Sequence, residues 1–98
     1  MSSEIMVKIL RVMGLALQLN PEKTEHNITG NKPTVFVKFS GHIASLEVVI
    51  YQSGWGEGRE NTTYRMYFEE EWDNSENTLD RVIEILEKLV KEWGVKNE

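Results

Sequence analysis

The chain has no cysteine, and only two prolines among its 98 residues. The missing thiol excludes a disulfide framework, a thiolate metal site and a cysteine nucleophile together. It also suits a reducing compartment, so the expected location is cytoplasmic. No apolar run approaches the roughly 20 residues needed to cross a bilayer. The opening residues Met1-Ser2-Ser3-Glu4 lack the basic start of a signal peptide, and Lys8 and Arg11 interrupt the apolar stretch that follows. Neither a leader nor membrane association is expected, and the sequons Asn27-Ile28-Thr29 and Asn61-Thr62-Thr63 read as chance matches. Paired metal-ligand spacing is missing too. His26 and His42 stand far apart, the first in a polar stretch and the second at a turn. No cofactor is expected.

What the chain does contain is ordinary for a globular protein: 40% hydrophobic and 28% charged residues. The length suits one α+β domain over residues 1–98. The net charge of −5 is unevenly spread: residues 1–49 hold five Lys/Arg against four Asp/Glu, and residues 50–98 hold six against twelve. An acidic half repels phosphate backbones, so direct nucleic-acid binding is not expected.

Periodicity supplies the elements. Residues 4–19 read as a helix with a charged stripe of Glu4, Lys8, Arg11 and Gln18 and an unusually wide apolar arc. Such a helix is either deeply buried or packed on two sides, for example against a second subunit. Asn20-Pro21 should end it, because the residue before proline is pushed out of the α region. Residues 20–33 read as a surface loop. Three strands follow, over Thr34–Phe39, about Ile43–Tyr51 and about Thr62–Glu69. In the second, Leu46, Val48 and Ile50 alternate with Ser45, Glu47, Val49 and Tyr51, which predicts one buried face. Ser40-Gly41-His42 reads as a tight hairpin turn with the glycine at positive φ. The last helix carries Leu79, Val82, Ile83, Leu86, Leu89, Val90 and Trp93 at spacings of three and four. Ser75 or Asn77 would cap its start, and Gly94 would stop it. The simplest arrangement is α-β-β-β-α, a three-stranded antiparallel sheet with both helices on one face. Phe36, Lys38, Glu47, Val49, Tyr51, Arg65 and Tyr67 would line the open face.

Few residues invite a functional reading. Gly54-Trp55-Gly56-Glu57-Gly58 leads to a strand rather than a helix and carries glutamate, so it is no phosphate cradle. Trp55, between glycines, either folds back onto the sheet or anchors a partner. The acidic run Glu69, Glu70, Glu71 reads as a solvated connection or as a docking patch for a basic surface. Ser40 and Ser53 read as turn residues, and nothing marks a nucleophile beside a base. Aromatic and apolar residues of the open sheet face, Phe36, Val49, Tyr51 and Tyr67, suggest a contact surface.

The helix–strand–strand–strand–helix order resembles that of the double-stranded RNA-binding domain. That family carries a basic cluster at the start of its last helix, whereas Ser75-Glu76-Asn77-Thr78-Leu79-Asp80 here is acidic. RNA binding is therefore not implied. Gly41-His42-Ile43 entering the second strand, and a last helix ending near Glu92-Trp93, resemble small accessory proteins of phages and prophages of Gram-positive bacteria. That resemblance implies an accessory or host-interaction role without enzymatic activity. The expectation is a homodimeric, non-enzymatic interaction protein. One alternative is an acidic inhibitor that mimics DNA in a partner's nucleic-acid-binding groove. The other is a small ligand-binding domain or enzyme, which would need a polar pocket between sheet and helices.

Overall fold

The computed structural model describes residues 3–19, 33–41, 44–54, 58, 60–68 and 75–93. The elements run α1 (Ser3–Leu19), β1 (Thr34–Ser40), β2 (Ser45–Tyr51), β3 (Thr62–Tyr67) and α2 (Ser75–Trp93). The strands form one antiparallel sheet in the order β1-β2-β3, so both hairpin neighbours pair and β2 is central. The α-β-β-β-α architecture is the one that periodicity predicts.

Register sorts the side chains. Val35 lies opposite Ile50, Val37 opposite Val48, and Phe39 opposite Leu46. Across the second hairpin Leu46 faces Met66 and Val48 faces Tyr64. These positions share one face, because successive strand residues point to opposite sides. Val35, Leu46, Val48, Ile50 and Met66 from that face are buried together with Val12, Leu15, Ala16 and Leu19 of α1 and Leu79, Val82 and Leu86 of α2. Both helices therefore cover the same side of the sheet, α1 over β1 and α2 over β3.

The two helices run in the same sense. Lys8 of α1 meets Glu76 and Asp80 in the first turns of α2, and Arg11, farther along, meets Glu87. The outer strands β1 and β3 are likewise parallel to each other, since each pairs antiparallel with β2. Ser75 fixes where α2 departs. Its hydroxyl oxygen accepts a hydrogen bond from the Tyr67 backbone N–H at 2.8 Å, joining the end of β3 to the first helical residue. The hydroxyl thus serves a strand-to-helix link, where sequence pattern suggested a cap on the helix's own amides.

Three local expectations are corrected. In the first hairpin the left-handed residue is Ala44, with φ of 47°, and not Gly41. Ser40 pairs with Ser45, so four residues separate the strands, and β2 begins at Ser45. Ala44 is held there from both sides, its N–H donating to the Gly41 carbonyl at 3.4 Å and its carbonyl accepting from Phe68 at 3.0 Å. Phe39 points with the inner face yet is half exposed, because it stands at the far end of an edge strand. The third strand ends at Tyr67. Residues 20–32 of the expected surface loop over 20–33, together with His26, His42, Asn20-Pro21 and Gly94, lie outside the described residues, and Pro33 at the loop's end is buried rather than at the surface.

Candidate interaction surfaces

The outer face of the sheet is built from cross-strand rows. Phe36, Val49 and Thr63 form one row; Lys38, Glu47 and Arg65 form the next; Ser40, Ser45 and Tyr67 form a third. The Phe36 ring stands edge-on to Tyr51 with centroids 5.8 Å apart, an arrangement that aligns the positive edge of one ring with the negative face of the other. Phe36 is 47% exposed and Tyr67 40%, while Val49 and Tyr51 are half-buried. In the middle row Arg65 donates to Glu47 through Nε at 3.2 Å and through its terminal nitrogen. The Glu47 carboxylate, followed by Tyr67, raises the Arg65 pKa by favouring the charged guanidinium. Lys38 lies opposite Glu47 on the other side, so one carboxylate sits between two cations and the row is net positive. The four sheet residues expected at a contact surface, Phe36, Val49, Tyr51 and Tyr67, are thus brought to one face. Trp55, Glu69, Glu70 and Glu71 lie outside the described residues.

The second surface lies on the helix whose wide apolar arc suggested packing on two sides, though the sequence pattern did not say which residues form the outer side. Helix α1 is apolar on two sides. Val12, Leu15, Ala16 and Leu19 are buried, with Ile5 and Ile9 packed against them. The opposite side carries Met6, Val7, Leu10, Met13 and Leu17, which remain 41–69% exposed. Gly14 lies among them, and a Cβ placed there would meet nothing within 4 Å. The signal lay in the sequence as a second set of apolar residues at helical spacing, displaced around the helix from the first.

The charges of α1 explain its rotation. Lys8 Nζ lies 2.8 Å from Asp80, 2.9 Å from Glu76 and 3.7 Å from Glu4, and Arg11 lies 3.0 Å from Glu87. Hydrogen bonds to Asp80 and Glu76 raise the Lys8 pKa above the ordinary lysine range. Each pair is solvent-screened and contributes little by itself. Together they fix which side of α1 faces α2, and they set two cations against three of the carboxylates that make the C-terminal half acidic, Glu76, Asp80 and Glu87. The outward face of α2 mixes Arg81, Lys88 and Lys91 with Glu84 and Glu92, so these charges are of both signs and form no continuous anionic row.

A shallow recess of about 150 Å³ lies between the ends of β2 and β3, lined by Ile50, Gln52, Ser53, Glu60, Asn61 and Thr62. That is below the roughly 300 Å³ at which small-molecule sites begin. Among the described residues no helix is long and apolar enough to cross a membrane, and no group of three His, Asp or Glu side chains converges on a metal-sized site. Comparison with protein-family models, curated proteins and solved structures found no match.

Proposed function

We propose that this chain is a non-enzymatic interaction protein that forms homodimers and contacts another protein through an apolar face. One observation carries the reading. Five large apolar side chains stand side by side on the outer face of α1, each at least two-fifths exposed. Scattered exposed leucines are normal on a monomer; a contiguous apolar patch of several hundred Å² marks an interface. The outer face of the sheet, with Phe36 and Tyr67, supplies a second and smaller surface on a different side of the molecule. Its Lys38–Glu47–Arg65 row gives that surface a positive centre, which suits an acidic or aromatic segment of a partner.

Light scattering coupled to size exclusion, run across a range of loading concentrations, tests this. The expected result is a mass that rises from one chain toward two as concentration increases. A mass of one chain throughout, with no partner bound by either face, would refute it.

A further inference from the structure

The outward residues of α1 follow a pattern of their own. Ser3, Val7, Leu10, Gly14 and Leu17 recur at alternating steps of four and three, with Met6 and Met13 beside them. That is the seam spacing by which one helix packs against another. We infer that a second copy of this chain covers the seam, with the two α1 helices antiparallel across a two-fold axis at Leu10. The inference rests on the homodimer reading above and names its face and geometry.

Size is the first argument. From these fractional exposures and ordinary side-chain areas, the five apolar residues offer roughly 500 Å² per copy. Two copies would bury roughly 1,000 Å², the lower bound for a specific interface. A weak, concentration-dependent dimer follows, with dissociation on the order of micromolar.

Volume complementarity selects the orientation. With the axis at Leu10, Met6 meets the partner's Gly14, Leu17 meets the partner's Ser3, Val7 meets the partner's Met13, and Leu10 meets its own copy. Away from the axis, Met6 and Leu17 each face a short residue and Met13 faces the smaller Val7, and the open space over Gly14 receives a methionine. A parallel pair would set Gly14 against the partner's Gly14 and Ser3 against the partner's Ser3. Holes would remain there while Leu17 and Met13 crowded their copies. Antiparallel packing also opposes the helix dipoles instead of aligning them.

Charge permits the contact. None of the seam residues is charged. Arg11 would approach its own copy beside the axis, but each Arg11 is already held by Glu87 at 3.0 Å. Glu4 and Lys8 lie on the flank that faces α2.

The absence of native cysteine makes the geometry directly testable. Leu10→Cys, under mild oxidation or with a short bismaleimide, should give a covalent dimer, because only groups near the axis bring their own copies within disulfide reach. Leu17→Cys alone should cross-link no faster than Glu84→Cys on the exposed side of α2. An equimolar mixture of Ser3→Cys and Leu17→Cys should form the heterodimer. Leu10→Glu should weaken self-association by about 100-fold, because two carboxylates would meet at the axis. Faster self-linking of Leu17→Cys than of Leu10→Cys would overturn the antiparallel geometry. A dimer that none of these cysteines traps, or that Leu10→Glu leaves intact, would place the interface elsewhere and overturn this inference while the homodimer reading stands. A monomer at hundreds of micromolar, well above the expected midpoint, would overturn both.

Discussion

Two leucines in one helix offer a controlled experiment. Leu15 is 1% exposed and Leu10 is 69% exposed, and both occupy the interior of α1. Replacing either with alanine changes intrinsic helix propensity by the same small amount, so any difference between the variants reports burial. Leu15→Ala removes a side chain packed among Val12, Leu19 and the inner face of the sheet. Loss of its transfer free energy and the cavity left behind should cost about 3 kcal/mol. For a domain of this size that is a fall in Tm of roughly 15 °C, and a large share of a total stability of about 5–10 kcal/mol. Leu10→Ala removes contacts from a side chain already two-thirds in solvent, and its cost should stay within about 0.5 kcal/mol.

Urea unfolding followed by far-ultraviolet circular dichroism resolves that gap, provided the protein is dilute enough to be monomeric. The slope of free energy against urea should be the same for both variants. Concentration then separates the roles further. The wild-type Tm should rise as protein concentration increases, because association draws on the folded state alone, and the Leu10→Ala Tm should rise much less. If the two variants cost the same within about 1 kcal/mol in dilute solution, Leu10 is buried within one chain, and the case for an open α1 face collapses.

Three further outcomes follow from particular positions. Gly14→Ala should stabilise the dilute monomer by about 0.7 kcal/mol, since no atom blocks the new Cβ and glycine is costly inside a helix. The same change should loosen the dimer several-fold by filling the space a partner's Met6 would use, so unfolding and association should respond with opposite signs. Ala44→Gly should raise stability by about 0.5 kcal/mol, because relief of the φ of 47° outweighs the added freedom of the unfolded chain. A loss on urea unfolding would refute the strained turn. Lys8→Met should lower the Tm near neutral pH. Because the folded-state pKa of Lys8 lies above its ordinary 10.5, that contribution is complete below about pH 10.5 and fades as pH rises toward the folded value. The gap between wild type and variant should therefore close in alkali and in high salt, and a gap that widened with pH would contradict the pairing with Asp80 and Glu76.

The sheet and α2 were legible because each carries one unambiguous period. Leu46, Val48 and Ile50 alternate with Glu47, Val49 and Tyr51, and a strand that buries one face has a single way to place them. Helix α2 has one apolar stripe between charged flanks, so its orientation follows from the pattern. Helix α1 has two apolar stripes of similar width, and hydrophobicity alone does not choose between them. Ile9 and Leu10 are neighbours in sequence and near-equivalents in chemistry, yet one packs against the core and the other faces solvent. What decides is electrostatic: Lys8 and Arg11 must reach Asp80, Glu76 and Glu87, nearly seventy or more residues away in the chain. The turn before β2 was misread for a related reason. Assigning positive φ to glycine is sound as a local preference, but Ser40 pairing with Ser45 imposed the loop length, and the left-handed position then fell on Ala44.

The same two-stripe helix sets the scale of what the protein does with its surface. Burying roughly 1,000 Å² of apolar area between two copies is worth about 25 kcal/mol before opposing terms. Loss of translational and rotational freedom, with the ordering of ten flexible side chains, cancels most of that. The remainder supports a dimer that forms and dissociates readily, not a permanent one. The seam on α1 points away from the core, while Phe36 and Tyr67 lie on the reverse of the sheet. Pairing through α1 would therefore leave the outer sheet face of each copy uncovered. A partner that engaged each of them weakly would gain from bivalence, so the weak seam would make contact with that partner depend on the protein's own concentration.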